Sequence, residues 1–141
     1  MQKRFWIVGV VDMDLNQVLI EVQDFPESIE FYTKFGLRLI VSERGEYARF
    51  EMPSGSATFS IYQSGQIAVG NTVIYFEVDD VDQKFTELRE RGIAFKGEPK
   101  DQTFRWRTAH LNDPSGNKLC LFHAGNERRF PPWRLSEKPV S

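Results

Sequence analysis

The chain has 141 residues, a formal charge of −2, 40% hydrophobic residues and 27% charged residues. That is enough length for one domain with its own core, in an ordinary balance for a globular protein, and without the basic excess that a nucleic-acid partner calls for. Cys120 is the single cysteine, which excludes an internal disulfide and suits a reducing cytoplasm.

At the N-terminus Lys3 and Arg4 precede an apolar run from Phe5 to Val11. The run is short, no small-x-small cleavage site follows it, and it falls well below the length that spans a bilayer. The reading is an extra strand or arm over residues 1–13 rather than a targeting signal. No other stretch is apolar and long enough to cross a membrane.

From Val18 the pattern becomes regular. Val18, Ile20 and Val22 alternate with other residues, as one face of a strand does. Asp24 then offers a carboxylate to the free N–H groups of a helix start, and Pro26 suits the first turn. Ile29, Tyr32 and Phe35 recur at helical spacing, and Gly36 can take the left-handed conformation that stops the helix. Strands are predicted at about 38–42, 46–51 and 57–63, the last two joined by the turn Pro53, Ser54, Gly55.

The pattern then repeats at one constant offset. Ile20 matches Phe76, Glu21 matches Glu77, Val22 matches Val78 and Asp24 matches Asp80. Ile29 matches Phe85, Tyr32 matches Leu88 and Gly36 matches Gly92. Strands are predicted at about 94–96, 105–111 and 118–123, with Pro114, Ser115 and Gly116 as the matching turn. Each copy reads as strand, helix, strand, strand, strand, and two such copies can share a core and pair their sheets to form a central cleft between them. The expected architecture is α+β: one domain over 14–126, with module one at about 14–66 and module two at about 70–126. A tail follows over 127–141.

Residues 17–24 (QVLIEVQD), followed by Ser28, Phe31, Tyr32 and Gly36, resemble the first-module signature of the vicinal oxygen chelate superfamily, the glyoxalase and bleomycin-resistance fold. Residues 113–117 (DPSGN) resemble its late Asp-Pro-Asp-Gly-Asn turn, with Ser115 in place of the middle Asp. The closing AGNERRFPPWR, from Ala124, is similar to the tail of an uncharacterised bacterial subfamily. The resemblance covers about residues 15–124. It implies that metal-dependent members would hold a divalent ion at the positions of Gln17, Ser60, Val73 and Cys120. Val73 cannot ligate, Ser60 is a poor neutral ligand, and Cys120 is soft. No metal and no cofactor are therefore expected, and lyase, isomerase or dioxygenase chemistry that relies on a metal as Lewis acid is in doubt.

Alternation assigns the face away from the helices, the cleft face. The expected pocket comprises Gln17, Glu21, Arg49, Ser60, Tyr62, Tyr75, Glu77, Trp106, His110 and Cys120, with Leu19, Thr58, Val73, Thr108, Lys118 and Phe122 on the same faces. Aromatics mixed with a few polar groups are the makeup of a small-molecule pocket. Plainer readings stand beside this one. Glu21 and Glu77 read also as solvated or paired at the mouth, and Tyr75, Trp106 and Phe122 as filler between the sheets. Arg105 and Arg107 read as surface charges before anion clamps. His110 reads as a pocket wall before a general base. Glu21, Glu77, His110 and Cys120 form a remote alternative metal set. Cys120 reads as a small apolar side chain before a nucleophile. His123 points away from the cleft. There is no Gly-rich phosphate loop, nucleophile elbow or His-Glu-x-x-His helix.

Three functions survive. The leading one, by resemblance to the antibiotic-sequestering branch, is a metal-free small-molecule binding protein that takes a planar or aromatic ligand. The alternatives are a metal-dependent lyase or dioxygenase and a scaffold or regulatory module. A homodimer is expected, with the proline and aromatic residues of the tail packed on a partner or on its own sheet.

Overall fold

The computed structural model describes residues 13–66 and 70–136. The expected N-terminal arm therefore lies outside the described residues, save Met13, and so does the end of the tail. Module one runs β1 (Gln17–Val22), α1 (Phe25–Phe35), β2 (Arg38–Glu43), β3 (Tyr47–Glu51), β4 (Thr58–Gln63). Module two runs β5 (Val73–Glu77), α2 (Val81–Glu90), β6 (Lys100–Asp101), β7 (Arg107–Asn112), β8 (Lys118–His123). Each module makes a four-stranded sheet, in the orders β1-β4-β3-β2 and β5-β8-β7-β6. The first strand pairs in parallel with the last, and the other neighbours are antiparallel.

The duplicated carboxylates cap the helices. Asp24 Oδ1 accepts from Glu27 N and Asp80 Oδ1 accepts from Gln83 N, each at 3.0 Å. Such a cap contributes about 1 kcal/mol. Gly36, at φ +120°, ends α1, and its N–H reaches the carbonyls of Tyr32 and Thr33.

The helix sides of both sheets meet in one core. Val22, Tyr32, Phe50 and Ile61 come from module one, and Leu88, Leu111, Leu119 and Leu121 from module two, all essentially fully buried. Burying each such side chain stabilises the fold by about 1.5–3 kcal/mol. Across the module boundary, the ring of Phe76 on β5 sits 5.0 Å from Phe35 and 5.9 Å from Phe59. Because both helix sides are spent on this core, both cleft faces point elsewhere.

One predicted element is corrected. Residues 94–96 form no strand, and β6 lies at Lys100–Asp101 instead. Ile93 is buried and Phe95 packs on Phe85 at 4.7 Å, so these apolar residues fill the core without joining a ladder. A single backbone bond, Lys96 N to His110 O at 2.8 Å, ties the segment to β7. No helix among the described residues is long and apolar enough to cross a membrane.

Candidate functional site

Register fixes which side chains share a face. On the first sheet Leu19 is level with Ser60, and Ser60 with Arg49, while Gln17 and Glu51 flank Thr58. On the second sheet Tyr75 is level with Cys120, and Cys120 with His110. The expected residues thus form two groups, one on each sheet, and each group makes its contacts within its own module.

The first group is a polar wall. Gln17 Nε2 donates to Ser60 Oγ at 2.8 Å, and Thr58 donates to Gln17 Oε1. The Ser60 and Tyr47 hydroxyls lie 2.9 Å apart, and Arg49 Nε donates to the Tyr47 oxygen at 2.9 Å. Hydrogen bonding from Ser60, and then the Arg49 guanidinium, hold the Tyr47 phenol below the ordinary tyrosine range. Tyr47 was absent from the sequence-based set, although it shares the parity of Arg49 on the same strand. Glu21 and Tyr62 stand exposed at the end of this wall.

The second group is an aromatic wall. Trp106 stacks on Phe122 with centroids 4.8 Å apart and planes at 27°. Tyr75 meets both rings edge-on, at 5.8 Å and 5.4 Å, and Phe104 meets Trp106 at 5.4 Å. These contacts hold Trp106 half-buried, while Tyr75 is 47% exposed and Phe104 43% exposed. On the same sheet the exposed His110 has its Nε2 3.9 Å from the Sγ of the buried Cys120. Burial pushes the Cys120 thiol up to about 11, which favours the neutral thiol at neutral pH.

Glu77 serves its own chain. Its Oε2 accepts from the N–H groups of Ala124 and Gly125 at 2.7 and 2.8 Å, and Arg128 and His123 approach at 3.9 and 3.7 Å. His123 Nδ1 contacts Val78 O at 2.8 Å. Arg107 pairs with both carboxylate oxygens of Asp82, and Arg105 lies 3.5 Å from Glu127. Neither arginine serves the aromatic wall.

A cavity of about 580 Å³ lies on the helix side, between the end of α1 and α2, with Phe35, Met52, Phe76, Glu87 and Arg91 in its lining. Of the expected residues it touches Glu77 alone. It is a different feature from the cleft faces, which are open sheet surfaces.

The donor set does not fit a divalent metal. Among the described residues no three His, Cys, Asp or Glu side chains come together to hold an ion. Of the positions that the resemblance implies, Val73 has no donor atom. Gln17 and Ser60 are neutral and bond to each other, and Cys120 is a soft donor with His110 alone as a nearby ligand type.

Residues 14–121 match the profile of the Glyoxalase/Bleomycin resistance protein/Dioxygenase superfamily. The uncharacterized protein YraH of Bacillus subtilis (strain 168) is 30% identical in an alignment 129 positions long that covers 78% of this chain and 98% of YraH. The lactoylglutathione lyase of Agrobacterium tumefaciens superposes with a TM-score of 0.67 at 18% identity, over 81% of this chain and 96% of the lyase. A bleomycin-binding protein solved in complex with bleomycin superposes with a TM-score of 0.65 at 17% identity, over 79% of this chain and 98% of that protein. At such identities these two structures speak for the fold alone.

Proposed function

From a chain that belongs to the glyoxalase/bleomycin resistance protein/dioxygenase superfamily, we propose a metal-free protein that binds or sequesters a small planar or aromatic molecule on its cleft faces. The observation that carries this reading is the aromatic wall of Tyr75, Phe104, Trp106 and Phe122, ordered ring against ring yet open on its outer side. Rings fixed by one another lose little freedom when a ligand stacks on them. Stacking on such a ring contributes roughly 0.5–1.5 kcal/mol beyond area burial. The bleomycin-bound neighbour lends support, as a protein of this fold that takes up a small molecule. The donor set at Gln17, Ser60, Val73 and Cys120 argues against the metal-dependent lyase or dioxygenase alternative.

The protein acts as a homodimer in this reading, with the polar wall of one copy facing the aromatic wall of the other. Leu19, 54% exposed, and Tyr62, 45% exposed, lie on the polar wall. Phe130 and Trp133 of the tail are also more than half exposed. A second copy would cover such surface. The cytoplasm is the proposed location, on the strength of the lone buried thiol.

A thermal-shift screen of aromatic metabolites and antibiotics tests the proposal, since a ligand raises stability with the log of its excess over its Kd. Hits should weaken in Trp106→Ala and Tyr75→Ala and persist in Arg105→Ala. Hits indifferent to both aromatic substitutions would refute the assignment of the wall.

A further inference from the structure

The hydrogen bonds of the polar wall have a direction. Thr58 donates to Gln17 Oε1, which leaves the Gln17 amide nitrogen to donate to Ser60 Oγ. Ser60 is fully buried and already accepts from Gln17, so its one proton needs an acceptor. Among the described residues the Tyr47 oxygen, 2.9 Å away, fills that role. Ser60 therefore donates to Tyr47, and so does Arg49 Nε. Both lone pairs of the Tyr47 oxygen are then occupied, and its own O–H turns outward. The same two donors hold its pKa down and make that O–H a stronger donor.

Arg49 is half-buried beside it. Its Nε serves Tyr47 and its guanidinium lies 5.5 Å from the Tyr47 ring centre, which leaves both terminal nitrogens without a hydrogen-bond partner among the described residues. No carboxylate among the described residues lies within ion-pair distance of it. A partly desolvated guanidinium without a counter-charge is costly until an anion completes it. The outward groups of Arg49 and Tyr47 are donors, with Glu43, level with Tyr47 on β2, as a competing negative charge, and the group that complements the two donors accepts only. A carboxylate meets that demand, its two oxygens matching the two terminal N–H groups of a guanidinium.

We infer that Arg49 and Tyr47 form a carboxylate-binding site on the cleft face of the first sheet, so that the ligand is an aromatic acid. The aromatic half of this statement rests on the function proposed above, and the acid half stands on the polar wall alone.

Calorimetric titration with a naphthoate and the matching naphthamide, which share a ring system and differ in charge, separates the two halves. The wild-type protein should bind the acid about 10-fold or more tighter than the amide. Arg49→Gln should erase that preference, and Tyr47→Phe, a milder change, should narrow it. Equal binding of the pair by wild type, or a preference that survives Arg49→Gln, overturns the inference. If equal binding is lost in Trp106→Ala, the aromatic wall stands and the carboxylate site falls. A preference that depends on Arg49 but ignores Trp106→Ala supports the carboxylate site and overturns the aromatic wall. If neither probe binds, both fall.

Discussion

The Tyr32 hydroxyl donates to Asp113 Oδ2 at 2.7 Å, across 81 residues of sequence and from the helix of one module to the last turn of the other. Asp113 is already the hub of that turn. Its Oδ1 accepts from Ser115 N at 2.9 Å and Asn117 N at 2.8 Å, and its Oδ2 accepts from Asn117 Nδ2 at 2.9 Å. Asn117 in turn donates to Glu21 O at 2.9 Å, and Gln23 N donates to Ser115 Oγ at 2.8 Å. The turn of module two is thus stitched to the start of module one. Tyr32→Phe removes a buried donor from a carboxylate and should destabilise the protein by about 1–3 kcal/mol. Urea denaturation checks this, with the exposed Tyr62→Phe expected to change little.

Alkaline pH should destabilise the fold through Cys120. Burial raises its pKa from 9.0 to about 11, so the native state favours the neutral thiol more than the unfolded chain does. The stabilisation is whole below pH 9 and is lost as pH rises toward 11. Tyr32, raised by burial and then by the Asp113 charge, adds a loss of the same sign above its ordinary value of 10.0. From neutral pH to pH 10, wild type should lose about 1 kcal/mol more stability than Cys120→Ala does. Denaturation midpoints at several pH values report it, and parallel curves for the two proteins would contradict it.

Light scattering should return the mass of two chains at micromolar concentration. The open polar and aromatic walls and the half-exposed Phe130 and Trp133 motivate this expectation. A monomer mass would require one chain to complete the ligand site alone.

Much of the architecture was legible because it rests on local rules. Period-two alternation identified the faces of β1, β4, β5 and β8, and the paired carboxylates Asp24 and Asp80 marked both helix starts. The misplaced strand at 94–96 shows the limit of such rules. Ile93 and Phe95 look the same in sequence whether apolar residues sit on a ladder or only plug a core. At the candidate site, parity places Arg49, Ser60 and Tyr47 on one face without singling out Tyr47, which only the bonds that join it to the other two set apart. Glu77 shows the converse. Its parity points to the cleft, yet its carboxylate is engaged by the backbone at Ala124 and Gly125, a contact made across 47 residues that no spacing announces.

Elemental analysis of the purified, dialysed protein tests the central claim most directly, because metal independence separates a binding protein from the lyases and dioxygenases of the superfamily. With Val73 lacking a donor, Gln17 and Ser60 neutral and bonded to each other, and no three His, Cys, Asp or Glu side chains gathered among the described residues, the expected result is divalent metal far below one equivalent per chain. About one zinc, nickel, iron or manganese per chain, retained through dialysis, would contradict it.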